Sequence, residues 1–228
     1  MIRNAATCVA VTLALAVPAR ADDTKSSEAK GILTKSVAAI KDAKTISYKI
    51  TTDAQGWVAP FVPKSEATVV VGEPAEYNVP RFYCDAKMIK TTPANEEEGT
   101  EEKTETVMYK AGCDGNEYIP IYAKTKMADN YVDPVVLGGD SRPVLRLVLE
   151  EFSAEKPFEK ELECEKLTLD GTATVDGVEC DKVTADFGSG MPAKTTWYIA
   201  RNDKLPRKVE RFYPGRSPDD GEGTTQMT

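Results

Sequence analysis

The chain has no histidine among its 228 residues. That absence removes Ser-His-Asp and Cys-His catalysis, imidazole metal sites and the usual proton shuttle near neutral pH. The sequence also lacks a Gly-rich phosphate-binding motif and a C-x-x-C redox pair. Its 37 acidic residues include no pair that stands apart from the rest, as general acid and base catalysis requires. The sequence therefore predicts a binding protein with no enzymatic activity, no metal and no cofactor.

Long apolar runs are absent except at the start of the chain. Residues 5–17 form an apolar stretch behind Arg3, and Ala19-Arg20-Ala21 has the small-x-small spacing of a signal peptidase site. The stretch is too short to cross a bilayer. We therefore expect residues 1–21 to be a cleaved secretory signal peptide. Residues 22–228 should then form one exported domain in the periplasm, with no segment that spans the membrane.

Positive charge is also scarce. Without residues 1–21, 27 basic residues face 37 acidic ones, which gives a net charge of −10. An acidic surface disfavours nucleic acid as a partner, because such proteins bind phosphate through clustered Lys and Arg. The remaining 207 residues are enough for one core without the support of disulfides. We expect a monomer.

The spacing of apolar residues predicts an α+β fold that is mostly antiparallel β. Between Ala29 and Ala43 they recur at three- and four-residue steps, which indicates a helix, and from Ile46 the period changes to two. About ten strands follow, each ended by turn residues. We place them near residues 46–50, 68–71, 82–88, 104–112, 115–123, 158–169, 172–175, 178–187, 197–199 and 205–209. This spacing is typical of an antiparallel meander rather than of βαβ units.

A second helix is predicted from Pro143 to Phe152, with a cap at Asp140 to Pro143. Its apolar residues cover much of its circumference, so it should be buried on more than one side. The sequence thus predicts a curved sheet with two helices in its concavity. The acidic run at residues 95–102 could bind a cation or a basic partner, but a solvated hairpin loop is the simpler interpretation, because like charges repel.

Four cysteines remain in the predicted domain, and an exported chain should pair them. A hairpin around the acidic run would place Cys84 roughly opposite Cys113, which favours a disulfide between these two and leaves Cys164 to pair with Cys180. The second pairing is open, because Asp170-Gly171 and Asp176-Gly177 are both plausible turns and give different strand registers.

Two motifs near the C-terminus resemble a known family. They are Gly177-Val178-Glu179-Cys180-Asp181-Lys182-Val183 and the strand–turn–strand from Trp197 to Lys208. They resemble the periplasmic superfamily of the lipoprotein carriers LolA and LolB, and most closely a group of uncharacterised periplasmic proteins of that fold. Part of that group has histidine where this chain has Lys182, so no role for that histidine carries over.

The resemblance implies an open half-barrel whose concave apolar face, partly plugged by helices, receives a lipid, an acyl chain or a lipoprotein. Trp197 and Ile199 should then face the core, with Tyr198 on the other side. No basic cluster for a ligand head group is evident. The candidate ligand-binding residues are Trp57, Phe61, Val144, Leu145, Val148, Leu149 and Phe152.

Two alternatives stay open at this point. Trp57 and Phe61 are large apolar residues in a predicted hairpin loop, where they either line a mouth or pack over the sheet. The whole domain could instead be an interaction or regulatory module of the cell envelope, which docks a basic protein partner and holds no lipid.

Overall fold

The change of period at Ile46 marks the boundary between a helix and a long sheet. The structure is a computed structural model and describes residues 21–75, 81–92, 94, 99, 101–122, 127–128, 146–217 and 221–228. The first helix, α1, runs from Ala21 to Asp42. It buries Ala29, Leu33 and Ile40, whose spacing places them on one face of the helix. The predicted signal peptide lies almost entirely outside the described residues.

Within these ranges the strands form one open antiparallel sheet of eleven members. Their order across the sheet is β6-β5-β4-β3-β2-β1-β11-β10-β9-β8-β7. The strands are β1 (Thr45–Gly56), β2 (Lys64–Gly72), β3 (Arg81–Thr92), β4 (Lys103–Asp114), β5 (Tyr118–Tyr122), β6 (Met127–Ala128), β7 (Lys166–Val175), β8 (Val178–Asp186), β9 (Lys194–Ala200), β10 (Pro206–Tyr213) and β11 (Gly223–Met227). The predicted fold class, a curved half-barrel made from a meander with helices, is confirmed.

Strand β11 departs from the simple meander that the sequence predicts. It lies between β1 and β10, with Met227 paired to both Thr52 and Val209. The strands β1 to β6 and β7 to β10 are each consecutive neighbours, so β11 joins two meanders into one sheet. Its five residues alternate between buried and exposed. The sequence does not show this alternation, because threonine stands at both buried and exposed positions.

One face of the sheet carries the main core, and we call it the inner face. Phe82, Cys84, Ala86 and Met88 alternate along β3, in the strand predicted near residues 82–88, and all four belong to this core. Trp197 and Ile199 also point inward and are fully buried, while Tyr198 joins a small separate cluster on the outer face. The hairpin of β9 and β10 is therefore a wall of the half-barrel.

Residues 146–162 cover the inner face together with α1, and we call them the covering segment. The predicted helix from Pro143 to Phe152 is wrong in its described part. Only Glu150–Ser153 is helical (α2), and Leu149 before it is extended, with φ −64° and ψ 122°. The predicted strand at 158–169 is also wrong at its start, because Glu159–Leu162 forms a second short helix, α3.

The side chain of Tyr48 explains why the covering segment is not one continuous helix. Its hydroxyl donates to the carbonyl oxygen of Leu147 at 3.0 Å and accepts from the backbone N–H of Leu149, also at 3.0 Å. These two backbone groups are thereby satisfied without a helical ladder. The ring of Phe152 packs on the same tyrosine, with centroids 5.1 Å apart. Tyr48 therefore holds the covering segment on the sheet.

The four cysteines are free thiols, so neither predicted disulfide is present. Cys84 pairs with Ala111 and Cys113 with Phe82, which makes the two cysteines diagonal rather than directly opposite. Diagonal positions are about 7–8 Å apart at Cα, beyond the usual span of a disulfide.

Cys164 and Cys180 are much further apart. Cys180 belongs to the outer-face cluster and Cys164 packs against the inner core. The turn of β7 and β8 is at Asp176-Gly177, while Asp170-Gly171 lies where the register shifts between Leu169 and Thr172.

The residues of the two C-terminal motifs brace the β9–β10 hairpin. Arg201 donates to Asp181 at 2.6 Å and to Glu179 at 2.9 Å, which ties the turn to β8. Asp203 accepts from the backbone N–H of Leu205 at 3.0 Å and forms an ion pair with Arg207. The motifs that carry the family resemblance therefore stabilise a wall of the half-barrel.

Replacing Tyr48 by Phe should destabilise the fold. The change leaves the carbonyl of Leu147 and the N–H of Leu149 without their partner, at a cost of about 1–3 kcal/mol in the free energy of unfolding. Urea denaturation measures it. The control is Tyr83→Phe, on the outer face and 44% exposed, where we expect almost no change. Equal effects of the two substitutions would contradict the role of Tyr48.

Cys164 and Cys180 should be recovered unlinked from native protein that is alkylated and digested without reductant. They lie on opposite faces, and Cys164 adjoins Asp186, about 20 Å along β8 from Cys180 at the usual rise per residue. Peptide mapping that finds these two cysteines joined would contradict the register of β7 and β8.

Candidate ligand cavity

A cavity of about 620 Å³ lies between the covering segment and the inner face of β9, β10 and β11. It opens at the end of the sheet where the loops after β1, β8 and β10 meet. Apolar side chains form its walls: Trp57, Val58, Phe61, Val62, Val148, Leu149, Phe187, Pro192, Tyr213 and Met227. Its volume falls in the range of small-molecule binding sites.

Four of the seven predicted ligand-binding residues meet in this cavity, namely Trp57, Phe61, Val148 and Leu149. Phe152 does not; it lines a separate cavity of about 390 Å³ near the end of α1 and the end of β2. Val144 and Leu145 lie outside the described residues.

An aromatic cluster forms one side of the mouth. The ring of Trp57 meets Phe61 and Tyr213 edge to face, with centroids 6.4 and 6.1 Å apart. Its indole N–H donates to the carbonyl oxygen of Pro214 at 3.2 Å. Phe61 nevertheless remains 58% exposed. Of the two alternatives for this loop, Trp57 thus packs on its neighbours, while Phe61 presents an apolar surface at the mouth.

The floor of the cavity has a polar row inside an apolar sheet face. Arg211 pairs with Thr195 on β9 and with Thr225 on β11, so these three inward side chains lie side by side. The next row inward is Trp197, Val209 and Met227, which belongs to the core. A cation on an apolar, poorly solvated face lowers the stability of the fold unless anionic or hydrogen-bonding partners compensate it.

Two carboxylates from the covering segment meet this polar row. Glu161 accepts a hydrogen bond from the indole N–H of Trp197 at 3.0 Å. Glu151 lies 3.7 Å from Arg211, measured between Oε1 and Nη2, which is too long for a hydrogen bond. The other oxygen of Glu151, Oε2, is buried and has no hydrogen-bond partner.

Burial raises the pKa of Glu151 to about 7. Loss of water disfavours the charged carboxylate, and the nearby charge of Glu161 adds to this, while Arg211 acts in the opposite direction. Near neutral pH, Glu151 therefore exchanges readily between a hydrogen-bond donor and an anionic acceptor.

Basic side chains also border the cavity, contrary to the expectation that no basic cluster could hold a head group. Arg146, Lys160 and Arg216 lie on the rim and are exposed. Each already has a partner: Arg146 donates to the carbonyl of Phe61 at 2.5 Å, Lys160 pairs with Glu150 at 3.0 Å, and Arg216 lies 4.0 Å above the ring of Trp57.

Sequence reasoning missed Glu151, Glu161 and Arg211. A signal existed for Arg211, because it lies on the same strand face as Val209 and Tyr213, and that face points to the core.

In the parts that the structure describes, no helix has the length and apolar character to cross a bilayer. Nowhere in the same ranges do three acidic or cysteine side chains form a group that could hold a metal ion.

Comparison with known proteins identifies the fold. No protein-family profile and no curated protein matches the chain. Among solved structures, LprF from Mycobacterium bovis superposes with a TM-score of 0.52 and 12% identity, over 90% of this chain and 93% of that one. The chain has the LolA-like half-barrel fold. At this identity the likeness shows the fold alone.

Two further structures match over similar lengths. The lipoprotein LppX from Mycobacterium tuberculosis has 15% identity and a TM-score of 0.47, over 89% of this chain and 93% of that one. A LolA-superfamily protein from Nitrosomonas europaea has 10% identity and a TM-score of 0.29, over 88% and 91%.

The buried carboxyl of Glu151 should make stability depend on pH. Because its folded pKa of about 7 exceeds the unfolded value, the folded state binds the extra proton, and stability falls as pH rises from about 4.5 to 7. Glu151→Gln should remove this penalty. We expect the variant to exceed the wild type in free energy of unfolding by up to about 3 kcal/mol at pH 8, and to match it near pH 5. Denaturant titration at the two pH values measures this, and an equal difference at both would contradict it.

Proposed function

We propose that the protein binds an acyl chain or a similar lipid-like molecule in the cavity under the covering segment, as an exported, non-enzymatic carrier or sensor in the periplasm. The observation that carries the proposal is the cavity of about 620 Å³ with apolar walls and an exposed phenylalanine at its mouth. Affinity would come mainly from apolar surface removed from water, at roughly 25 cal/mol per Å² before entropic costs.

The fold supports the proposal because a half-barrel leaves one end of its inner face open. Leu149 and Met227 are each buried among core residues and also line the cavity. A guest there would extend the core rather than rest on the surface. The alternative, a module that docks an envelope protein without a lipid guest, depends on the acidic run at residues 95–102, which lies mostly outside the described residues.

An environment-sensitive hydrophobic dye tests the proposal. We expect the folded wild type to enhance the dye fluorescence, and a fatty acyl compound to displace it. Phe61→Asp should weaken dye binding severalfold, because it places a charge at the apolar mouth. Phe61 is already exposed, so the fold should tolerate the change.

Met108→Asp is the matched control. Met108 is also an exposed apolar residue, at 43%, but it lies on β4 and does not line the cavity. Its replacement should leave dye binding unchanged. Two outcomes would contradict the proposal: no dye signal from the folded wild type, or equal weakening by both substitutions. Either result would favour the alternative, a module that docks an envelope protein without a lipid guest.

A further inference from the structure

An acyl chain needs only apolar walls, yet this cavity contains two buried carboxyl groups and a half-buried arginine. Glu151 and Glu161 are 9% and 6% exposed, and the side chain of Arg211 is 20% exposed. Burying ionisable groups costs free energy that apolar residues of similar size would not. The hydrogen bond from Trp197 accounts for Glu161, but packing of the half-barrel does not explain Glu151 and Arg211.

Arg211 and Glu151 hold unused hydrogen-bonding capacity. The guanidinium of Arg211 lies 3.7 Å from Glu151 and 3.6 Å from the sulfur of Met227, and sulfur is only a weak acceptor. Oε2 of Glu151 has no partner. A rich donor and an orphaned acceptor thus lie next to each other among apolar walls, where an unmet polar group is expensive.

We call the part of the cavity around Arg211, Glu151 and Glu161 its inner end. The charges there decide which head group fits. Two charged side chains face Glu151 directly: Arg211, which belongs to β10, and Glu161, which belongs to α3. The charges of Glu150 and Lys160 are also nearby. Glu150 and Lys160 pair with each other at the exposed rim. One half-buried cation, Arg211, therefore faces two buried carboxyl groups. When Glu151 is ionised, an anionic head group would add a third negative charge in a poorly solvated place, where Coulomb repulsion is strong.

We propose that the inner end of the cavity recognises an uncharged head group that both donates and accepts hydrogen bonds, an amide or a hydroxyl on an acyl chain, and rejects a free carboxylate. Arg211 donates to the oxygen of that head group, and Glu151 meets its N–H or O–H. The proposal rests on the proposed function, since it requires that an acyl chain occupies the cavity.

The protonation of Glu151 gives this recognition a pH signature. With its pKa near 7, Glu151 is largely neutral at pH 6 and can donate a hydrogen bond, whereas at pH 8 it is an anion that accepts one. An amide or a hydroxyl satisfies either form. A carboxylate satisfies only the neutral form, so its affinity should fall as pH rises.

The test compares oleamide with oleate, which have the same chain and differ in the head group. Displacement of the bound dye gives their dissociation constants at pH 6, 7 and 8, below the concentrations at which either aggregates. At pH 8 we expect oleamide to bind at least about tenfold more tightly than oleate, which is the lower limit of what one hydrogen bond to a charged group contributes. The preference should shrink toward pH 6.

Glu151→Gln keeps the shape of the side chain and offers one acceptor and one donor group, but it cannot ionise. Its preference for oleamide over oleate should no longer change between pH 6 and pH 8. The matched control is Glu159→Gln, which removes the same charge from the covering segment at a residue that does not line this cavity. It should keep the pH dependence of the wild type.

The outcomes separate this inference from the proposed function. If neither compound displaces the dye, the proposed function fails and this inference with it. If both bind equally at every pH, the acyl-chain site stands and the head-group proposal is overturned. Tighter binding of oleate also overturns it and indicates that the rim cations hold the head group. The pH series of the wild type decides the matter even if Glu151→Gln does not fold.

Discussion

The inner face of an open sheet must be kept from water, and the rest of this structure depends on how that is done. Helix α1 covers part of it, and the covering segment covers the remainder in short turns that have little helical structure of their own. Two polar contacts hold that segment in place: Tyr48 with the backbone around Leu147, and Trp197 with Glu161. Apolar packing supplies most of the stabilisation, and these contacts fix where the segment lies.

The sequence predicts the sheet better than its cover, for a physical reason. Strands with one buried face alternate visibly, as Phe82 to Met88 do, and turns such as Asn202-Asp203 have a distinct chemistry. The covering segment is apolar on several sides, which suits a helix and an irregular buried strap equally. Its conformation is decided by the hydroxyl of Tyr48, almost a hundred residues earlier in the chain. Local sequence patterns do not indicate such a long-range contact.

The candidate site likewise contains residues that the sequence identifies and residues that only the tertiary structure identifies. Trp57 and Phe61 could be found from the sequence, because large apolar residues are unusual in a polar loop. Glu151 and Glu161 could not, because glutamate is common in this chain and only tertiary packing distinguishes these two from exposed ones. The cysteines show the same limit, since Cys84 and Cys113 are separated from direct opposition by two residues of register. That shift depends on how the hairpin turns, and a midpoint estimate does not resolve it.

The position of β11 has a consequence for how the chain reaches this structure. Strands β1 to β6 and β7 to β10 can each form from neighbours in sequence, but in the described sheet the strand that joins them is β11, whose Met227 pairs with Thr52. The ribosome adds this strand after all the others. Until it is added, each half-sheet exposes an unpaired edge, β1 on one and β10 on the other, and such edges invite pairing with other chains. Closing a contact across nearly the whole chain is also slow. The newly made protein therefore passes through a stage at which it is most vulnerable to aggregation, and a chaperone that shields these two edges would protect it.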